Sequence, residues 1–118
     1  MLKAITFLVG ISALSATASA SMRCQGQPTD AVLVDGGGAV VTGEIIEVRR
    51  DGAQRDLAWA HFKVLQRRAG AAPDIIRLRS DDDVISHNFF IVGRTHTFAL
   101  SDPFGEAWVS RCQTRFPR

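Results

Sequence analysis

The chain contains two cysteines, Cys24 and Cys112, which stand near opposite ends of the sequence. Two cysteines allow a single intramolecular pairing, so a disulfide obliges any fold to bring its two ends together. Closing a loop of roughly 90 residues stabilises a protein by about 4–5 kcal/mol in the chain-entropy model. A metal pair is a poor alternative, because neither cysteine has Cys or His neighbours at ligand spacing. We therefore expect a Cys24–Cys112 disulfide rather than two free thiols.

The first twenty residues have the pattern of a cleavable signal peptide. Lys3 precedes an apolar run over residues 4–14, which is shorter than the roughly 20 residues of a membrane-spanning helix. Small residues follow and form overlapping Ala-x-Ala sites that end at Ala18 and Ala20. We predict a signal peptide over residues 1–20, with cleavage after Ala20 favoured over Ala18. The mature protein is then secreted or periplasmic, where disulfides persist, and is not stably inserted in a membrane.

The mature chain, residues 21–118, is close to neutral. The whole sequence has 14 Lys and Arg against 12 Asp and Glu, a net charge of +2. Lys3 is the only charged residue of the leader, so its removal leaves +1. A general phosphate-binding surface needs a clustered basic excess, so we expect no nucleic-acid partner. A chain of this length predicts one domain.

Short alternating segments dominate the mature chain. Residues 39–50 are the best strand candidate, because they are rich in β-branched side chains. Gly43 inside this segment indicates a bulge or a bend, and Asp51-Gly52 indicates a turn. Residues 57–66 alternate with alanines and Phe62 on one face, which favours a strand over a competing helix. Residues 74–80 alternate with isoleucine and leucine inward and arginines outward.

The remaining segments are less regular. We interpret them as a first strand at 31–34, a loop at 67–73, a short helix or loop at 84–88, a strand pair or one bent strand at 89–100, and a last strand at 106–114. Five or six short strands in one small domain predict an all-β fold. We expect a small five- to six-stranded OB-like barrel that includes one short helix and one disulfide.

The order of these segments resembles the netrin-like group of OB-fold proteins, which includes the tissue inhibitors of metalloproteinases and short bacterial relatives. The resemblance covers about Cys24 to Thr114. The residues that carry it are Gly43, Phe62-x-Val64, Val92-Gly93 before a strand, and Cys112 after an aromatic strand. It implies an OB-type barrel and protein binding.

The resemblance does not imply that this chain inhibits metalloproteinases. The animal inhibitors reach the protease zinc through the amine and carbonyl of an N-terminal cysteine inside a Cys-x-Cys start. Here Cys24 follows Arg23, and Gln25-Gly26 come next without a second cysteine. The zinc-binding amine is therefore absent unless processing occurs after Arg23, which does not have the form of a signal-peptidase site.

Trp59, Arg77 and Arg79 form the candidate binding surface, because strand alternation places all three on an outward face. Tryptophan and arginine are frequent anchors in protein recognition. Four further arginines could extend this surface: Arg49, Arg50, Arg67 and Arg68. The simpler interpretation is that Trp59 packs on the barrel wall while the arginines keep the surface soluble.

Other groups give weaker signals for chemistry. Asp81–Asp83 is a dense acidic run but lacks a calcium-loop pattern. The histidines, at positions 61, 87 and 96, have no spacing that predicts a metal site. Ser86-His87 does not make a nucleophile–base pair by sequence alone. We expect no catalytic residue, metal or cofactor, and interpret the chain as an exported, non-enzymatic, inhibitor-like module that binds another protein. The alternatives are a small ion-binding protein or enzyme using Asp81–Asp83 and His87, or a cell-envelope accessory domain.

Overall fold

A computed structural model describes residues 24–50 and 57–115. The predicted leader at 1–20 and the predicted Asp51-Gly52 turn lie outside these residues. Six strands are present in the described part of the chain: β1 (Ala39–Arg50), β2 (Ala58–Ala69), β3 (Ile75–Ser80), β4 (Thr95–Leu100), β5 (Glu106–Trp108) and β6 (Thr114–Arg115). One short helix, α1 (Asp30–Asp35), precedes them.

The strands form one sheet in the order β5-β3-β2-β1-β4-β6, which curls into a half-barrel. All neighbours are antiparallel except β3 and β5, which run parallel. The predicted all-β class, the small barrel and its strand number are confirmed. The predicted disulfide is also confirmed, because Cys24 and Cys112 are bonded with their Cα atoms 5.4 Å apart.

The concave side of the sheet holds the hydrophobic core. Phe62 of β2 and Phe98 of β4 are fully buried, with ring centroids 5.3 Å apart. Gly43 of β1 lies against the Phe62 ring, where an added Cβ would stand only 2.7 Å from the Phe62 Cε2 atom. The β1–β2 register shifts between Thr42 and Gly43, so the predicted irregularity at this glycine is confirmed. Close packing therefore requires glycine at this position.

Residues 31–34 do not form the first strand that we expected; they belong to α1. The Thr29 hydroxyl caps this helix by accepting from the Val32 amide, and Asp30 occupies the first turn. Gly37, with φ of 96°, donates its amide to the Val34 carbonyl and ends the helix. These capping contacts at both ends outweigh the strand preference of two valines.

Three other segment predictions need correction. β2 continues to Ala69, so the predicted loop at 67–73 begins too early. Only the second half of 89–100 is a strand, and a π-helical turn over Ile85–Phe89 precedes it. The predicted last strand at 106–114 breaks after Trp108, because Ser110 and Gln113 form a capping box around a 3₁₀ turn at Arg111–Gln113. That turn carries Cys112 to its partner.

Candidate functional site

The convex side of the sheet brings the three predicted binding residues together. Trp59 on β2 is paired in register with Arg79 on β3. The neighbouring pair places Arg77 of β3 opposite His61 of β2. All four side chains point away from the core, because the alternate residues on both strands are buried.

The same rows continue onto the two flanking strands. Trp108 and Glu106 of β5 pair with Arg79 and Arg77, and Arg49 and Glu47 of β1 pair with Trp59 and His61. We name the resulting two-row surface the Trp–Arg face. One row is Trp108, Arg79, Trp59 and Arg49, and the other is Glu106, Arg77, His61 and Glu47.

Cation–π contacts hold the centre of the Trp–Arg face. The Arg79 guanidinium lies between two indoles, 4.3 Å from the Trp59 centroid and 4.5 Å from the Trp108 centroid. The Arg77 guanidinium also lies over the Trp59 ring, at 4.4 Å. Contacts of this kind contribute about 0.5–1 kcal/mol each at exposed sites. They fix the orientation of both arginines, whose long side chains are otherwise free to rotate.

Ion pairs occupy the two ends of the face. Arg79 Nη1 donates to Glu106 Oε2 at 3.0 Å. Glu47 accepts from Arg49 Nε at 2.7 Å and from His61 Nδ1 at 3.3 Å. The hydrogen bond from Arg49, followed by that from His61, holds the pKa of the Glu47 carboxyl below its usual range.

Two donors at the centre of the face, the Arg77 guanidinium and Arg79 Nε, lack a hydrogen-bond acceptor among the described residues. The Arg77 side chain has no hydrogen bond or ion pair to any residue within 24–50 and 57–115. The buried Arg79 Nε likewise finds no acceptor in that part of the chain. A buried polar atom without a partner is uncommon in native structures and calls for an explanation. An open groove of about 480 Å³ lies beside the Arg77 guanidinium and is lined by Glu47, Arg49, Trp59, Ala60, His61 and Arg77.

The remaining predicted candidates are dispersed. Asp82 serves the local structure, since its carboxylate accepts from the Val84 amide and the Arg111 side chain. Ser86 is buried, whereas His87 is exposed and donates through Nδ1 to the Asp83 carbonyl. Within the described ranges, no three His, Cys, Asp or Glu side chains cluster closely enough to hold a metal ion. These contacts lend no support to the cation or triad interpretations.

His96 is the other histidine with a defined environment. Its ring lies between Phe89 and Phe98, and Nε2 donates to the Phe89 carbonyl at 2.9 Å. Partial burial lowers the pKa of His96, and the Phe89 contact opposes that shift only in part. This histidine therefore serves packing at the end of the barrel.

A smaller cavity of about 290 Å³ lies beside the disulfide, between the ends of β4 and β5. Leu33 of α1, Val109 and Cys112 contribute to its lining. No helix among the described residues has the length and apolar character needed to cross a membrane.

Comparison with protein-family models gives no matching family, and comparison with curated proteins gives no matching relative. Sequence reasoning identified Trp59, Arg77 and Arg79 but did not add Trp108, Glu106, Glu47 and His61 to them. Trp108 and Glu106 join through the parallel β3–β5 pairing, which no local pattern reveals. The alternation of 57–66 did place His61 beside Trp59, and this was the available signal.

Proposed function

We propose that the mature chain is an exported, non-enzymatic module that binds another protein through the Trp–Arg face. The observation that carries the proposal is the convergence of two outward-facing tryptophans, one exposed and one half-buried, and three arginines on one strand-built surface. Trp108 is 46% exposed, although tryptophan usually buries most of its surface. Tryptophan and arginine are the residues most enriched among binding hot spots.

The signal-like leader and the disulfide support a secreted or periplasmic location in this proposal. The netrin-like relationship is part of the same proposal and rests on the sequence resemblance alone. An inhibitor of the metalloproteinase type needs a free amine on Cys24. Intact mass of the exported protein tests this point, because a chain starting at Ser21 would rule out that mode.

Photo-cross-linking tests the role of the face. Ile75, 46% exposed on the same side of β3 as Arg77 and outside the groove lining, is replaced by p-benzoylphenylalanine at the margin of the Trp–Arg face. Val92, 61% exposed on a turn outside the face, provides the matched control position. We expect a discrete adduct with an extracytoplasmic protein from position 75 only, and its loss when Trp59→Ala is added.

Equal adducts from both positions, or an adduct that survives Trp59→Ala, would contradict the proposed surface. The thermal unfolding midpoint of each variant is measured in parallel, so that loss of folding is not mistaken for loss of binding. Two alternatives remain from the sequence: an ion-binding protein or enzyme, and an envelope-accessory domain. No contact among the described residues specifically favours either of them.

A further inference from the structure

We propose that the groove of the Trp–Arg face recognises a carboxylate side chain on an acidic segment of the partner protein, with the Arg77 guanidinium as its principal donor. This inference rests on the proposed function and specifies the chemistry of the same surface. It follows from how the charges on the face are already paired.

The first step concerns the arginines. Arg79 forms an ion pair with Glu106, and Arg49 forms an ion pair with Glu47. Arg77 is stacked on Trp59 and has no counter-ion among the residues that the structure describes. A guanidinium offers a planar pair of N–H donors that matches a carboxylate in a bidentate geometry. Within 24–50 and 57–115, Arg77 is therefore positioned to receive a carboxylate and has no ion-pair partner.

The second step concerns electrostatic complementarity. Arg77 and Arg79 both stand within 4.4 Å of the same ring centroid, and an anion bound at Arg77 offsets the repulsion between these two neighbouring cations. The three arginines and two glutamates of the face leave a net charge of +1. One carboxylate at a time therefore complements the groove.

The third step separates an acidic protein segment from a nucleic acid. A phosphate backbone needs a continuous basic track, but Glu47 and Glu106 interrupt the Trp–Arg face at both ends of one row. Base stacking needs an open ring, but two guanidinium groups already lie over Trp59, the tryptophan that lines the groove. An extended acidic segment fits better, because its carboxylates are spaced and its backbone is neutral.

The sequence provides a built-in probe for this groove. The chain has two tryptophans and no tyrosine, and both tryptophans belong to the Trp–Arg face. Trp59 lines the groove, whereas Trp108 also lines the cavity beside the disulfide, so the groove is followed through the Trp59 emission. The titration uses the disulfide-bonded mature protein and a short, end-blocked peptide of alternating glycine and glutamate. The same peptide with glutamine in place of glutamate is the neutral control.

We expect the glutamate peptide to change the emission saturably and the glutamine peptide to leave it unchanged. Arg77→Gln should weaken binding roughly tenfold or more, because a hydrogen-bonded charge partner is lost. Arg77→Lys should weaken binding less, because the charge stays while the planar fork is lost. Glu47→Gln should tighten binding, since it removes a repelling carboxylate and releases Arg49 and His61. Added salt should weaken binding in the parent protein.

Arg94→Gln is the matched control, because it removes one positive charge from an exposed position outside the groove lining. The Trp108→Phe variant assigns the signal to Trp59. Equal binding by the parent, Arg77→Gln and Arg94→Gln would overturn the inference, as would emission changes with a single-stranded oligothymidylate but not with the glutamate peptide. A cross-link at position 75 that persists in Arg77→Gln would refute the carboxylate receptor while leaving the proposed function intact.

Discussion

Removal of the disulfide should destabilise this protein more than any single change on its surface. The perturbation is the double variant Cys24→Ser/Cys112→Ser, which leaves no free thiol. The two cysteines are 88 positions apart. Closing a loop of that length lowers the entropy of the unfolded chain, which stabilises the folded protein by about 4–5 kcal/mol in the chain-entropy model.

Packing around the sulfur atoms adds little to this figure, since Cys24 is exposed and Cys112 is half-buried. Two other contacts tie the ends of the described chain together. Gln113 Nε2 donates to Gln27 Oε1 at 3.1 Å, and Arg115 Nη2 donates to Asp30 Oδ1 at 3.2 Å. Both are solvent-accessible contacts and contribute about 0–1 kcal/mol each. They cannot replace the covalent link.

The assay is urea unfolding, supported by a thermal scan. For a domain of this size, a loss of 4–5 kcal/mol corresponds to a fall of about 20–30 °C in the thermal midpoint. The m-value should rise, because the unfolded chain expands once its ends are released. The parent protein after reduction should match the double variant. If the oxidised parent and the double variant unfold at the same midpoint, the reasoning is refuted.

Two further predictions concern the barrel itself. Gly43→Ala should lower the free energy of unfolding by roughly 2–3 kcal/mol, because the added Cβ collides with the Lys63 carbonyl and the Phe62 ring. Gly36→Ala is the control: its Cβ meets only ordinary 3.6 Å contacts, so the free energy of unfolding should change by no more than about 0.5 kcal/mol. Equal losses in the two variants, measured by chemical unfolding, would contradict this packing. His96 has a lowered pKa, so the native state binds fewer protons than the unfolded chain and stability should fall as pH drops through about 6.5 toward the native pKa. Unfolding free energies measured between about pH 7.5 and about pH 5 should show that loss in the parent protein and less of it in His96→Gln; identical slopes would refute it.

The regular part of the fold could be predicted from sequence because alternation is a local signal. Residues 39–50 coincide with β1, and the buried faces of β2 and β3 carry the side chains that alternation assigned to them. Each of these strands has one face in the core, so a slip of one residue would expose every apolar side chain. This energetic penalty makes the pattern reliable.

The missed elements depend on contacts between a few polar atoms. The helix at Asp30–Asp35 exists because the Thr29 hydroxyl and the following glycines satisfy its ends. The break after Trp108 exists because Ser110 and Gln113 cap each other. Such hydrogen bonds involve one or two residues and leave the apolar pattern unchanged. Hydrophobic periodicity therefore did not reveal them.

The candidate site was half predictable for the same reason. Trp59 and Arg77 face outward because Ala60 and Leu78 face the core, so core packing fixes the register of the Trp–Arg face. The tryptophan contacts then fix the guanidinium groups on that rigid surface. Binding costs are lower when the recognising groups are already ordered. The force that folds the barrel thus holds Arg77 in place for the carboxylate that we propose, and a binding deficit in Arg77→Lys would measure how much of that binding depends on the stacked guanidinium.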